Sequence, residues 1–64
     1  MAVSQPLAEI TFRNEDGEEE TVRASDTVDI SVDTTIHGGY WVSRFAPPSL
    51  QYIPGKDMVR LVRA

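Results

Sequence analysis

The side chains best suited to binding chemistry lie in the second half of the chain, where aromatic residues are interleaved with cationic ones. They are Tyr40, Trp41, Arg44, Phe45, Tyr52 and Lys56. Aromatic rings stack on nucleobases while neighbouring cations meet the phosphates. Tryptophan, tyrosine and arginine are also enriched at the energetic centres of protein interfaces. The pattern therefore predicts a binding surface and leaves both partner classes open.

Part of this aromatic set is needed for the core. The chain has one tryptophan and two phenylalanines among 64 residues, and so short a chain has few large apolar side chains to bury. We therefore expect Trp41 and Phe45 in the core, and Tyr40 and Tyr52 exposed or half-exposed. The predicted contact surface consists of Tyr40, Arg44 and Tyr52, with Lys56 and Arg60 at its rim.

A run of acidic residues forms the second chemical feature. Positions 15–20 hold five carboxylates in six residues. Carboxylate oxygens can hold a divalent cation, and a dense negative charge can imitate nucleic acid. However, the spacing does not match a helix–loop–helix calcium loop, and no second cluster completes a coordination shell. We expect a solvated hairpin tip and no metal.

No set of residues indicates catalysis. Asp29 and Asp33 face the same way on a predicted strand, but they alternate with its apolar residues and should be solvated, whereas acid–base pairs need environments that separate their pKa values. His37 is the only histidine and precedes Gly38, so we expect a turn residue. No cysteine or second histidine accompanies it for zinc. The sequence predicts a protein that is not an enzyme and uses no cofactor.

Charge is unevenly distributed along the chain. Residues 1–33 carry nine acids and two bases, a balance of −7, whereas residues 34–64 carry one acid and four bases, a balance of +3. The whole chain has a net charge of −4 and an isoelectric point near 4.6. If the fold separates the halves, one face is acidic and another is basic and aromatic. Such separation affects partner choice and encounter rate.

Length and composition indicate one small globular domain. The chain is 41% hydrophobic and 25% charged, with no cysteine, so disulfides cannot compensate for a thin core. We expect a flexible tail over residues 1–6 and a single β domain over residues 7–64. The start lacks the basic and apolar regions of a signal peptide, and no apolar run is long enough to span a membrane. The prediction is a cytoplasmic protein without a membrane partner.

Alternating apolar and polar residues indicate strands that position these side chains. Val28, Ile30 and Val32 alternate with polar residues within 27–34, which is the period of a strand with one buried face. Residues 7–13 alternate in the same way, and an Asp-Gly pair at 16–17 predicts a hairpin leading to a second arm around Val22. A turn follows at Ser25 and Asp26.

The second half continues this pattern. Paired glycines at 38–39 predict a tight reversal before an aromatic strand over 40–45. Residues 46–49 contain two prolines and should end that strand, with a further extended piece over 50–53. Pro54 and Gly55 predict a turn. Residues 58–64 fit a strand better than the alternative, a short C-terminal helical turn.

These elements predict an all-β fold: a small five- to six-stranded antiparallel barrel or strongly bent sheet. The layout is similar to SH3-like and Sm-like barrels, although no motif identifies a family. An open meander that pairs with a second copy is the alternative architecture. Closing the sheet would remove exposed strand edges, which a short β domain must protect.

The predicted function is that of a small acidic, non-enzymatic module that binds another protein through its aromatic and arginine surface. One alternative is nucleic-acid-related: the basic half binds a single strand, or the acidic half mimics nucleic acid and blocks a basic partner. A further alternative is a structural homo-oligomer, for example a homodimer, which would help so short a chain.

Overall fold

A computed structural model describes residues 7–64 and confirms the all-β prediction. The tail expected over residues 1–6 lies outside these residues. A short 3-10 turn, Gly55–Asp57, precedes the last strand. The six strands are β1 (Leu7–Arg13), β2 (Glu19–Arg23), β3 (Val28–Val32), β4 (Tyr40–Phe45), β5 (Pro48–Ile53) and β6 (Met58–Arg63).

The strands form two antiparallel three-stranded sheets. The first sheet has the order β2–β1–β6, and the second has the order β3–β4–β5. An isolated bridge between Ser25 and Val28 lies in the turn that leads from one to the other. Within residues 7–64 no continuous ladder joins the sheets into a closed barrel.

One apolar core lies between the two sheets. Ile10 of β1, Val42 of β4 and Ile53 of β5 are each no more than 1% exposed. The other buried apolar residues are Leu7, Phe12 and Ile30, which belong to the same cluster. Both sheets therefore depend on a single set of contacts, as expected for a domain that can bury little surface.

The face of the aromatic strand β4 that packs on the core is the opposite of the predicted one. Val42 is fully buried and Tyr40 packs against the core, whereas Phe45 is 55% exposed and Trp41 is only partly buried. Neighbouring residues of a strand point to opposite faces, so the burial of Val42 turns Trp41 and Phe45 outward. The prediction that these two aromatics lie in the core is therefore wrong.

The predicted turns are present where the chain reverses. Gly17, Gly38 and Gly39 all have positive φ, and Asn14 Oδ1 accepts hydrogen bonds from the backbone N–H groups of Asp16 and Glu18. Pro54 leads into the 3-10 turn, closed by the Asp57 N–H donating to the Pro54 carbonyl at 3.0 Å. This geometry replaces the expected turn with glycine at its third position.

The end of the chain is a strand, as predicted. β6 pairs with β1, which places Leu61 beside Ile10 and Arg60 beside Thr11. Along residues 7–64 no helix is long and apolar enough to cross a membrane, and no group of histidines or carboxylates is arranged to hold a metal ion.

Candidate interaction surface

The outer face of the second sheet, opposite the core, brings the exposed side chains of Phe45 and Leu50 together with Trp41 and Tyr52. Ile30 pairs with Val42, and Tyr40 pairs with Ile53. Because these residues face the core, the residues between them face outward. The outer face is formed by Asp29, Ser31, Asp33, Trp41, Ser43, Phe45, Pro48, Leu50 and Tyr52.

Trp41 is held in place at one end of this face. Its indole Nε1–H donates to Asp33 Oδ2 at 3.0 Å, and its ring lies 4.9 Å from that of Tyr52, tilted by 53°. Trp41 and Tyr52 are also direct partners in the β4–β5 ladder. Tilted aromatic pairs at this separation are favourable, so the two rings form a fixed pair.

Asp33 connects this pair to the loop before β4. Its Oδ1 accepts from the Thr35 backbone N–H at 2.7 Å and from the Thr35 hydroxyl at 2.6 Å. These two Thr35 bonds, hydroxyl first, and then the Trp41 bond lower the pKa of Asp33, because each bond favours the charged carboxylate. The carboxylate therefore stays ionised and acts as a positioning group for the indole.

Tyr52 fixes the same loop from the other side. Its hydroxyl donates to the Gly38 carbonyl at 2.6 Å. Gly39 has φ +88°, and a Cβ there would lie 2.6 Å from the Ile53 carbonyl oxygen and 2.7 Å from the Tyr52 hydroxyl. Only glycine fits this position. The polar atoms of both aromatic side chains are thus occupied within the protein, and their rings need little reorganisation to receive a partner.

The other end of the face is open and apolar. Phe45 is 55% exposed and Leu50 is 65% exposed. They line a shallow depression of about 510 Å³ together with Ser43, Arg44, Pro48 and Ser49. Scattered exposed apolar residues are ordinary on soluble proteins, but contiguous ones mark interaction sites. This end has the form expected of a contact surface.

The charge of the face is negative. Its two charged positions are Asp29 on β3 and Asp33, which directly follows β3, and none of its nine positions holds a lysine or arginine. The face is therefore apolar along β4 and β5 and acidic along β3 and the residue after it.

The five residues of the predicted contact surface are not brought together. Tyr52 lies on the outer face, but Tyr40 and Arg44 lie on the inner one, where Arg44 Nη1 donates to Gln51 Oε1 at 3.0 Å. Lys56 is in the 3-10 turn, and Arg60 is beside Thr11 in the first sheet. Tyr52 belongs to the outer face, and Arg44 contributes to it only as a lining residue of the depression beside Phe45 and Leu50.

Sequence reasoning left Trp41, Phe45 and Leu50 out of the surface. β4 carries bulky residues on both faces, so its alternation does not show which face is buried. The signal that would have resolved this is the pairing of β4 with β3. The alternation of β3 points Ile30 inward, and Val42 is its partner.

Comparison with known proteins adds nothing to these observations. No family model, no curated protein and no solved structure matches this chain. The geometry of the two sheets is therefore the basis on which a function is inferred.

Proposed function

We propose that this chain is a small, non-enzymatic module that binds another protein through the outer face of its second sheet. The observation that carries the proposal is the position of exposed Phe45 and Leu50 beside the fixed Trp41–Tyr52 pair on one face. Burying apolar surface contributes about 25 cal/mol per Å², and aromatic side chains are the usual anchors of interfaces.

The rigidity of the aromatic pair supports the same proposal. Binding normally costs about 0.5–1.5 kcal/mol for each side chain that must be immobilised. Trp41 and Tyr52 are already held by Asp33 and by the Gly38 carbonyl. Much of this cost is therefore met in the free protein, which favours a role in recognition.

The distribution of basic residues favours a protein over a nucleic acid as partner. Among residues 7–64, Arg44 is an inner-face residue of β4 that lines the depression, Lys56 is in the 3-10 turn and Arg60 is on the first sheet. These cations are not aligned along the aromatic face, which carries Asp29 and Asp33. Phosphate binding needs cations along one groove. The nucleic-acid alternatives and the homo-oligomer stay predictions.

We also propose that the two sheets are the halves of a barrel with the SH3-like layout. The Ser25–Val28 bridge lies in the connection between β2 and β3, and the bond from the Ala24 N–H to the Ala8 carbonyl extends the β1–β2 pairing up to that connection. An experimental structure with a ladder that joins β2 to β3 would establish a partly open barrel, with β5 and β6 as its free edges. One in which no ladder joins the two sheets would leave a bent sandwich.

The function is tested by replacing the exposed apolar residues. The double variant Phe45→Ser/Leu50→Ser should keep its fold, because exposed substitutions usually change stability by about 0.5 kcal/mol or less. The matched control is Ile36→Ser/Val59→Ser, since these residues are 99% and 46% exposed but lie off the face. Each immobilised protein is used to capture a partner from its native host, and the purified partner is titrated by calorimetry.

We expect wild type and control to bind one partner with equal affinity, and the Phe45→Ser/Leu50→Ser variant to bind at least about 30-fold more weakly, since central interface residues contribute about 2 kcal/mol or more. Equal losses in the two variants would show that the face is not the contact surface. A partner that binds all three proteins equally would show the same.

A further inference from the structure

We propose that the partner binds as an extended strand added to the free edge of β5, through a segment that alternates apolar and cationic residues. This inference rests on the proposed function, because it specifies the partner's chemistry at the same sheet. Strand addition to an open edge is a recurring mode of peptide recognition, in which backbone bonds give affinity and alternate side chains give specificity.

The first observation is that β5 is the only edge strand in residues 7–64 without a charged residue. Of the other three edges, β2 carries Glu19, Glu20 and Arg23, β3 carries Asp29, and β6 carries Arg60 and Arg63. Proteins use charges to prevent unwanted pairing at sheet edges. The sequence of β5, PSLQYI, has no such charge, so this edge is the one open to another strand.

The second observation is the direction of the backbone groups on β5. The Phe45 N–H donates to the Thr27 carbonyl, and the Gly39 carbonyl accepts from Asp33, so the odd-numbered groups of β4 point towards β3. Its even-numbered groups point to their partners on β5, which include Gln51. Because directions alternate along a strand, the N–H and C=O groups of Leu50 and Tyr52 point away from the sheet.

Pro48 agrees with this geometry. It lies two residues before Leu50, so its nitrogen also points to the free edge. Proline is tolerated in a sheet at edge positions whose N–H would not be needed. An incoming strand would therefore form its backbone bonds with Leu50 and Tyr52.

The outward side chains of β5 decide half of the partner's pattern. Leu50 and Tyr52 belong to the outer face, and Leu50 is 65% exposed. Side chains of an added strand that point to this face would lie beside these two residues. Apolar residues at those positions would cover Leu50 and extend the contact made by the Trp41–Tyr52 pair.

An acidic groove determines which side chains suit the alternate positions of the partner segment. It has a volume of about 600 Å³ and lies between the tip of the β1–β2 hairpin and the C-terminal half of β5. Phe12, Ile53 and Pro54 contribute apolar surface to it. Its charged lining residues are the acids Glu15, Asp16, Glu20 and Asp57 and the base Arg13.

The charges of the groove are complementary to a cationic segment. Four carboxylates face one guanidinium, so the groove has an excess of negative charge. Residues of an added strand that point away from the outer face would point to this side, and lysine or arginine there would meet the carboxylates while their aliphatic stems cover the apolar surface. A second copy of this chain is less suited, because PSLQYI brings no cation.

The test uses a synthetic probe with this pattern. It is an acetylated, amidated peptide of six residues, the length of β5, in which lysine alternates with leucine or valine. Three comparison peptides are an isomer with the lysines grouped together, a version with glutamate in place of lysine, and a version with N-methyl groups on alternate backbone nitrogens, made in both phases. Binding is followed by amide NMR at low salt.

We expect the alternating peptide to bind, the glutamate peptide not to bind, and one phase of N-methylation to abolish binding, since it removes the ladder donors. The amides of Leu50 and Tyr52 should exchange with solvent in the free protein and become protected in the complex. The amide of Gln51, already paired with β4, should change little. Protection of Leu50 and Tyr52 therefore separates strand addition from contact with the outer face alone.

Two further variants test the groove. Glu20→Gln and Asp57→Asn should each weaken binding of the alternating peptide about two- to five-fold, the usual contribution of a partly exposed charge pair. Asp26→Asn removes one charge from an exposed turn outside the groove and should leave affinity unchanged.

Several results would overturn the inference. They are equal binding of the grouped and alternating peptides, tolerance of both N-methyl phases, or binding with Leu50 and Tyr52 still exchanging. Concentration-dependent protection of these amides in the free protein would assign the edge to a second copy instead. If the edge fails but Phe45→Ser/Leu50→Ser still loses a partner, the proposed function stands without strand addition.

Discussion

The outer faces of the two sheets differ in how they meet solvent. On the first sheet, the hydroxyls of Thr11 and Thr21 are hydrogen-bonded across the ladder at 2.9 Å, and Arg23 donates to Glu9 Oε1 at 2.8 Å. On the second sheet, the outer face carries Phe45 and Leu50, both more than half exposed. The polar side chains of the first face are thus paired with one another, whereas the second face leaves the apolar surface of Phe45 and Leu50 uncovered.

This difference shows that the core does not account for every large apolar residue. Both sheets share one core, whose residues come from both. A chain of 64 residues has few large apolar side chains for its core, yet among residues 7–64 five of them are exposed: Val32, Ile36, Phe45, Leu50 and Val59. Two of the five, Phe45 and Leu50, lie together on one face. On the first sheet, by contrast, cross-strand polar pairs occupy the face opposite the core, Thr11 with Thr21 and Glu9 with Arg23.

The largest expected effect tests whether the two sheets are one cooperative unit despite their different faces. Ile10→Ala should lower the unfolding free energy by about 2–5 kcal/mol, because it leaves a cavity in the shared core. Circular dichroism, which reports both sheets, and Trp41 fluorescence, which reports the second, should give the same transition. Ile36→Ala, the same change at a 99% exposed position, should have almost no effect. Two separate unfolding transitions would show that the two sheets unfold independently and do not form one cooperative unit.

A smaller effect is expected at the aromatic pair of the second sheet. Trp41→Phe keeps the aromatic ring but removes the donor to Asp33, which should cost about 1 kcal/mol. A double-mutant cycle with Asp33→Ala, which removes the acceptor, isolates the coupling between the two side chains when it is measured by urea unfolding. We expect a coupling of about 0.5 kcal/mol or more. Additive losses would mean that the bond does not help to fix the indole.

Acid should affect the second sheet through the same carboxylate. The lowered pKa of Asp33 means that it stabilises the folded state fully above its usual value of 3.8, and that this contribution is lost as the pH falls through the lowered folded-state pKa. Titrating the unfolding free energy into acid should show a shallower decline for Asp33→Asn than for wild type. Identical declines would show that Asp33 does not contribute to the loss of stability in acid. Asp29→Asn controls for the loss of one negative charge on the same face.

The smallest effect on the unfolding free energy is expected at the Arg23–Glu9 ion pair of the first sheet. The Arg23 side chain is 81% exposed and that of Glu9 is 18% exposed, so their ion pair is worth about 0.2–1 kcal/mol. Glu9→Gln should lower the unfolding free energy by no more than this, and added salt should reduce the difference. A larger, salt-independent loss would show that the first face depends on its ion pair more than the geometry suggests.

Much of the fold could be predicted because alternation is a local property. The bounds of β1 and β4 agree with the predicted strands, and the alternation around Ile30 identified the buried face of β3. Pro48 shows the limit of this reasoning. The absence of its N–H predicts the end of a strand, but β5 begins there, because an edge strand does not need that donor.

The proposed interaction surface could not be predicted in the same way, because it depends on the register between strands. Whether Trp41 or Val42 faces the core is decided by which residue pairs with Ile30, and that depends on the path of the loop over residues 33–39. The acidic groove likewise combines residues from the first hairpin with Asp57. Even the separation of charge follows topology, since acidic β1–β2 pairs with β6, which carries two arginines.

The position of Pro48 has a consequence for solubility. An edge without charges is a template for fibrils, in which identical strands stack through every available backbone group. Each added copy of β5 would bring a proline that cannot donate, so every layer of such a stack would lack a bond at the same position. In the proposed binding mode, the free edge of β5 accepts one short segment, whereas Pro48 opposes the repeated strand addition that leads to precipitation. A single proline thus limits how many copies of the chain can stack on this uncharged edge.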